Sequence, residues 1–275
     1  MERTPVNDGL HMPTIKAHSV EKIRRHNFFA RMFATGMKNK WPQRAYIGLY
    51  SGAGLARLDS DGSVVETTAL SALREPFTHY IFVDSDPECI RALEQRARPY
   101  QDDKSVHFVL GDANECVPAV RSRLPRFSKA NGLLSFCFVD PFNAGVKLET
   151  IKGLASLKMD FLILLAAGLD VRRNWRLYLS DEKNSRIADF IDCPDWRREF
   201  RDSGEPSPIR FVMRKFDAAM VGLGYKQPRP AHHHAIKTNG RFLYYLSFYS
   251  KHERGQDFWD TVLERASPQT EMELQ

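Results

Sequence analysis

Four short stretches of this chain carry side chains suited to holding and acting on a nucleotide-like ligand. Tyr50-Ser51-Gly52-Ala53-Gly54 closes one apolar run, Asp84 closes a second, Asp112 a third, and Asp140-Pro141-Phe142-Asn143 a fourth. Gly52 and Gly54 let a backbone approach a ligand and adopt dihedrals closed to other residues, or they simply make a tight strand-to-helix turn. Asp84 can accept both hydroxyls of a ribose as a bidentate carboxylate. Asp112, with the amide of Ala113, can meet an adenine edge, or it can cap a helix starting at Ala113. Asp140-Pro141 presents acceptor oxygens to an amino or hydroxyl nucleophile, and Phe142 offers a stacking plane. Asp-Pro is also an ordinary turn opener.

Only a fold can gather groups so far apart in the chain. Apolar runs at 45–50, 79–84, 105–110, 133–139 and 160–166 alternate with helical patterns. The clearest helix start has Asp86 as N-cap, Pro87 at the first helical position and Glu88 in the first turn. Strict alternation predicts an α/β fold with a Rossmann-like core over 45–169: a mostly parallel sheet, right-handed crossovers and helices on both faces. All strands of such a sheet open their carboxyl ends onto one crevice, which is where the four stretches fall.

Residues 1–44 read as a helical lead-in, with Ser19 capping a helix whose Ile23, Ala30, Phe33 and Met37 share a face. The glycine loop is expected to run long, through Arg57, Asp59, Asp61 and Gly62, to a helix at about 66–74, forming a lid or contact surface. Beyond Gly168 the pattern breaks, and 170–208 reads as a helical insertion after the fifth strand. Residues 209–266 complete the core with a helix at 209–221, an aromatic strand at 242–249 and a short helix from near Gly255. The tail at 267–275 reads as disordered.

With 275 residues, 43% of them hydrophobic, the chain can bury one large domain. It holds no apolar run of about 18 residues, and the opening MERTPVNDGL lacks secretory features, so a soluble cytoplasmic protein without membrane contact is expected. Cys89, Cys116, Cys137 and Cys193 form no CxxC pair, which points away from disulfides, zinc and iron–sulfur motifs. Forty Lys and Arg against 34 Asp and Glu give +6, which favours anionic partners and permits DNA or RNA. Basic residues gather before the glycine loop, Lys22 and Arg24 among them, and again at Arg121, Arg123, Arg126 and Lys129. Each group reads as a solvated face unless it converges on the crevice. Arg172, Arg173 and Arg176, just beyond the fifth strand, are better candidates for contacting an anionic substrate. His232, His233 and His234 read as an exposed loop, because three adjacent residues on a strand cannot all face one ion.

The chain resembles the three-Cys-motif partner proteins. The similarity runs through the glycine loop at 46–54, YIFVDSDPE at 80–88, LGDANE at 110–115, FVDPFNAG at 138–145, the Arg173-Asn174 pair and LYYLSFYSKHERGQDFW at 243–259. The last block is the most specific to that family. The resemblance implies a class I methyltransferase-like core, S-adenosylmethionine as cofactor and a radical-SAM-like partner that carries the three cysteines. It places the cofactor on Tyr50, Ser51, Gly52, Gly54, Asp84, Asp112 and Ala113, catalysis on Asp140 and Phe142, and the substrate near Pro141, Asn143, Arg172 and Arg173.

Asp140-Pro141-Phe142 is also similar to the Asp-Pro-Pro-Tyr motif of methyltransferases acting on amino groups of nucleic-acid bases. The second Pro is missing here and the aromatic sits one place early. Gly48 departs from the family, which carries an acid there that helps hold the methionine amino group through water. The chain is therefore expected to methylate a nucleic acid or nucleotide-like acceptor, or else to be a catalytically degenerate binding subunit of its partner. A nuclease using Asp84, Asp112 and Asp140 for a metal has no PD-x-ExK-like spacing behind it.

Overall fold

The computed structural model describes residues 7–102, 104–126 and 131–265. The expected disordered tail at 267–275 and Lys129 of the second basic group lie outside them. Seven strands, β1 (Gln43–Leu49), β2 (His79–Asp84), β3 (Ser105–Leu110), β4 (Leu133–Val139), β5 (Met159–Leu165), β6 (His233–Thr238) and β7 (Arg241–Tyr249), form one sheet in the order β3-β2-β1-β4-β5-β7-β6. The first five are mutually parallel where they pair, and β7 runs antiparallel to both β5 and β6. This is the expected mostly parallel, Rossmann-like fold of methyltransferase type.

Ten helices pack around the sheet in the described chain: α1 (Ser19–Gly36), α2 (Thr68–Ala72), α3 (Pro87–Ala97), α4 (Val117–Arg123), α5 (Leu148–Ala155), α6 (Arg172–Ser180), α7 (Arg186–Ile191), α8 (Trp196–Asp202), α9 (Pro208–Gly222) and α10 (Glu253–Arg265). The central strands are apolar on both faces, so alternate side chains feed two cores. Ile47, Val83 and Val139 pack with Ile151 of α5 and Phe216 of α9. Tyr46, Phe82 and Phe138 pack on the other side with Phe29 of α1 and Trp259 of α10. Leu49 lies in register with Val83 and Val139, and Asp84 with Leu110, which brings the functional strand ends level.

Several expectations need correction. Ser19 is the first residue of α1 and not its cap. His18 precedes it with helical dihedrals, and the amides of Ser19 and Val20 bond instead to the carbonyls of Lys16 and Ala17. The stretch after the glycines is a hairpin, Leu55–Leu58 against Val64–Glu66, with Thr14–Ile15 added in parallel. Pairing of those backbones replaces the expected long loop, and α2 begins only at Thr68. Asp112 does not cap a helix at Ala113: it accepts the Asn114 amide in a turn, and α4 starts at Val117. Asp86, by contrast, caps α3 as expected, accepting the amides of Glu88 and Cys89.

The three histidines are not an exposed loop. His232 is buried with Nε2 2.8 Å from Asp260, His233 bridges Ser247 and Asp217 at 2.8 and 3.1 Å, and His234 lies 2.8 Å from Glu21. Each imidazole thus serves a different carboxylate and sews the β6 edge to α9, α10 and α1. The His234 hydrogen bond, opposed by burial and aided by Arg25, holds the Glu21 carboxyl down at about 2. The insertion is helical as expected. A π-helical turn at Ala167–Val171 leads into α6, and Trp175 packs on Trp196 and Phe200 at ring-centroid distances of 5.0 and 4.8 Å. All four cysteines are free. Among the described residues, no helix is long and apolar enough to cross a membrane.

Candidate functional site

β1 leaves the sheet through Tyr50, whose φ of 64° is left-handed. A bulky residue held there is strained, and such strain persists only where the surroundings over-determine it, commonly beside a ligand site. Ser51 supplies part of that restraint. Its hydroxyl donates to the Gly48 carbonyl at 2.8 Å and accepts from the Val83 amide at 3.2 Å, while its own amide donates to the Val83 carbonyl. The Ser51 hydroxyl thus locks β1 to β2, and the residue also lines the second compartment described below.

The two glycines do different work. At Gly52, with φ 65°, an added Cβ would meet nothing within 4 Å, so the backbone is open to a ligand. At Gly54, with φ 85°, it would lie 2.9 Å from Leu93 Cδ1. Gly54 thus serves close packing of the loop on α3 rather than access. Gly54→Ala is expected to cost about 2–4 kcal/mol, from the left-handed backbone together with overpacking. A fall in the urea midpoint at constant slope checks this.

Asp84 ties the loop to β2: Oδ2 accepts the Gly52 amide at 2.7 Å and Oδ1 the Asp86 amide at 3.0 Å. Each oxygen keeps a second lone pair. Asp84 borders a compartment of about 270 Å³ that also involves Asp112, Ala113, Asn114 and Asn143. A second compartment, of about 200 Å³, includes Gly52, Thr67, Asp140, Phe142 and Tyr244. Tyr50 belongs to both walls. Burial first, then the nearby Asp112 and Asp84, push its phenol up to about 12, so it stays a neutral hydroxyl.

The decisive group in the second compartment is one the sequence placed only within a basic cluster. Lys22, from the first turns of α1, sends Nζ to both carboxylate oxygens of Asp140, at 2.8 and 2.6 Å. Their side chains are only 13% and 18% exposed. Phe142, two residues on, is 91% exposed, leaving its ring free to stack on a ligand. Asp170, in the π-helical turn, was also missed. Buried, it accepts the Ala144 amide at 2.7 Å, Asn174 at 2.7 Å and the Tyr178 hydroxyl at 2.5 Å, so it fixes the loop that carries Phe142. Asn114 braces the far end of that loop, donating to the Gly145 carbonyl and accepting from the Lys147 amide.

No protein-family model matches the chain, and no curated protein matches it in sequence. Among solved structures it is similar to protein LPL1258 of Legionella pneumophila, from family DUF519, with 14% identity and a TM-score of 0.43 over 63% of this chain and 74% of that one. It is also similar to monomeric WbdD, with 14% identity and a TM-score of 0.40 over 85% of this chain and 41% of WbdD. WbdD is described in a further structure as a bifunctional kinase-methyltransferase; there the identity is 14% and the TM-score 0.35, over 54% of this chain and 28% of that one. At these scores the likeness carries no weight for the site. The fold rests on strand order and register.

The crevice gathers Tyr50, Ser51, Gly52, Asp84, Asp112, Ala113, Asp140, Pro141, Phe142 and Asn143. Arg172 and Arg173 are not brought in. α6 buries Trp175 and Tyr178, leaving both arginines exposed, and Arg172 donates to the Phe242 carbonyl at 3.3 Å. For an adenosyl cofactor the fit is good at the nucleoside end, where Asp84 and Asp112 offer acceptors. Beside the second compartment, the buried hydroxyls of Thr67 and Tyr244 have no hydrogen-bond partner among the described residues. An acid at position 48 would require Ser51 to shift, because a Cβ there would lie 2.8 Å from its Oγ.

Proposed function

We propose that this chain is an S-adenosylmethionine-dependent methyltransferase acting on an amino group of a nucleic acid or nucleotide-like acceptor, together with a three-Cys radical-SAM-like partner. The observation that supports it is the meeting, on one crevice at the carboxyl ends of β1 to β4, of a ribose-type carboxylate at Asp84, an open backbone at Gly52 and an acceptor carboxylate at Asp140 beside the exposed Phe142 ring. Asp84 would take the ribose hydroxyls and Asp112 with Ala113 the adenine edge. The Gly52 backbone would face the methionine end. The cofactor would supply an electrophilic methyl group on a sulfonium.

The chain's own part is positioning. Asp140 holds Lys22 through one lone pair on each oxygen and keeps the second on each for an incoming amine, which it can orient by accepting its hydrogens. Phe142 stacks on the acceptor ring. Orientation of this kind supplies most of the rate advantage in a transfer between two bound groups. Calorimetry with S-adenosylmethionine tests the reading: saturable binding near micromolar is expected.

A second reading is favoured by Lys22 and Gly48. With a cation already clasped by Asp140 and no acid at position 48, the same fold could serve as a binding subunit of the three-Cys partner. Absence of cofactor binding up to millimolar, with retained co-purification of that partner, would select it.

A further inference from the structure

Behind the crevice, the segment that carries Asp8, Leu10 and His11 packs along α3 as a strap. Arg96, almost wholly buried, fastens it: Nε and Nη2 donate to Asp8 at 2.8 and 2.7 Å, and Nη1 donates to the carbonyls of His11 at 2.9 Å and Ala53 at 2.6 Å. The His11 backbone is thereby fixed beside Asp86 and Cys89, and a ring nitrogen of His11, a carboxylate oxygen of Asp86 and the Cys89 sulfur all lie within 4.8 Å of one another. Asp86 spends Oδ1 on capping α3, taking the amides of Glu88 and Cys89 at 2.8 and 3.4 Å, and its Oδ2 accepts a hydrogen bond from the Cys89 thiol at 3.6 Å.

That last separation is informative. A tetrahedral zinc ion with bonds of about 2.3 Å to sulfur and 2.0–2.2 Å to oxygen spans an S···O edge of roughly 3.5 Å. Two donors thus already stand at ligand spacing on a rigid helix end. The third is an exposed ring whose nitrogen lies within 4.8 Å of both, on a backbone that Arg96 holds. We propose that His11, Asp86 and Cys89 form a site for a divalent transition metal, zinc by its mixed nitrogen, oxygen and sulfur donors, with solvent completing the tetrahedron. Cys89 packs with Ala53, Ala92 and Leu10, so the ion would clamp the strap to α3 directly behind the Gly52 loop. The site shares no donor side chain with the crevice.

Cobalt substitution tests this. Metal-free full-length protein is expected to take up one equivalent of Co²⁺, with an intense near-ultraviolet sulfur-to-cobalt band and four-coordinate visible bands, both abolished by excess Zn²⁺. Cys89→Ser should lose the sulfur band and Cys193→Ser should keep it. His11→Ala and Asp86→Asn should each weaken binding at least roughly 100-fold, since even outer-shell changes at metal sites cost 10–100-fold. Zn²⁺ should raise the melting temperature of the native chain and not that of Cys89→Ser. A folded native chain with no sulfur band, or a band that survives Cys89→Ser, overturns the proposal. If Cys89→Ser fails to fold, the exposed His11 decides: Co²⁺ affinity unchanged in His11→Ala overturns it.

Discussion

Asp140→Ala is expected to lower methyl transfer at least about 10²-fold, the cost of misplacing a reacting group, while S-adenosylmethionine affinity changes by less than about threefold. The separation of effects follows from the two compartments. Asp140 belongs to the one walled by Thr67, Phe142 and Tyr244, whereas the nucleoside-type acceptors Asp84 and Asp112 belong to the other. Transfer of labelled methyl to nucleic acid measures the first quantity, and calorimetry with the cofactor the second. Turnover equal to that of the native chain would remove Asp140 from the reaction.

The same residue is structural, so its variants need a stability reference. Lys22 and Asp140 are both mostly out of solvent, and truncating either strands the other's charge at a cost of about 3 kcal/mol. A Lys22→Met, Asp140→Asn double variant removes both charges and is expected to recover much of that loss. If the double variant is stable and still inactive, the defect is chemical. Lys22 also ties function to the amino-terminal helix, because its neighbour Glu21 holds His234 at the β6 edge. Any change that moves α1 therefore reaches Asp140.

Period and punctuation carried most of the fold into the sequence. β2, β3 and β4 were legible to the residue, since each is an apolar run bounded by polar turn residues. The carboxyl-edge crevice followed from the parallel topology alone. What stayed hidden depended on contacts remote in sequence. Lys22 is an ordinary helix lysine until 118 residues of chain bring Asp140 to it. The lock that Ser51 makes between β1 and β2 was not legible because its three partners are all backbone groups. The histidines read as a loop because three adjacent residues cannot share one ion, and their carboxylate partners come from three separate helices. Hairpin formation after Gly54 overrode a polar stretch that carries no strand alternation.

Asp170→Ala should be the most destabilising single change near the crevice. The carboxylate is 5% exposed and accepts from the Ala144 amide, Asn174 and the Tyr178 hydroxyl. Burial first, and then Asp170, raise the Tyr178 phenol to about 12, which keeps it protonated and able to donate. Truncation orphans the Ala144 amide and the Tyr178 hydroxyl, and at about 1–3 kcal/mol per buried unsatisfied group the loss should reach about 3–5 kcal/mol. Asp170→Asn, which keeps one acceptor oxygen in place, should lose about half as much. The functional consequence is specific because Ala144 lies two residues beyond Phe142. Freed from Asp170, the 140–145 loop should show faster amide hydrogen exchange than β4, which is held on both sides by sheet partners. Methyl transfer should fall with that exchange while cofactor affinity holds. Native exchange at 144 in Asp170→Ala would mean that the loop is positioned by Asn114 and the sheet alone.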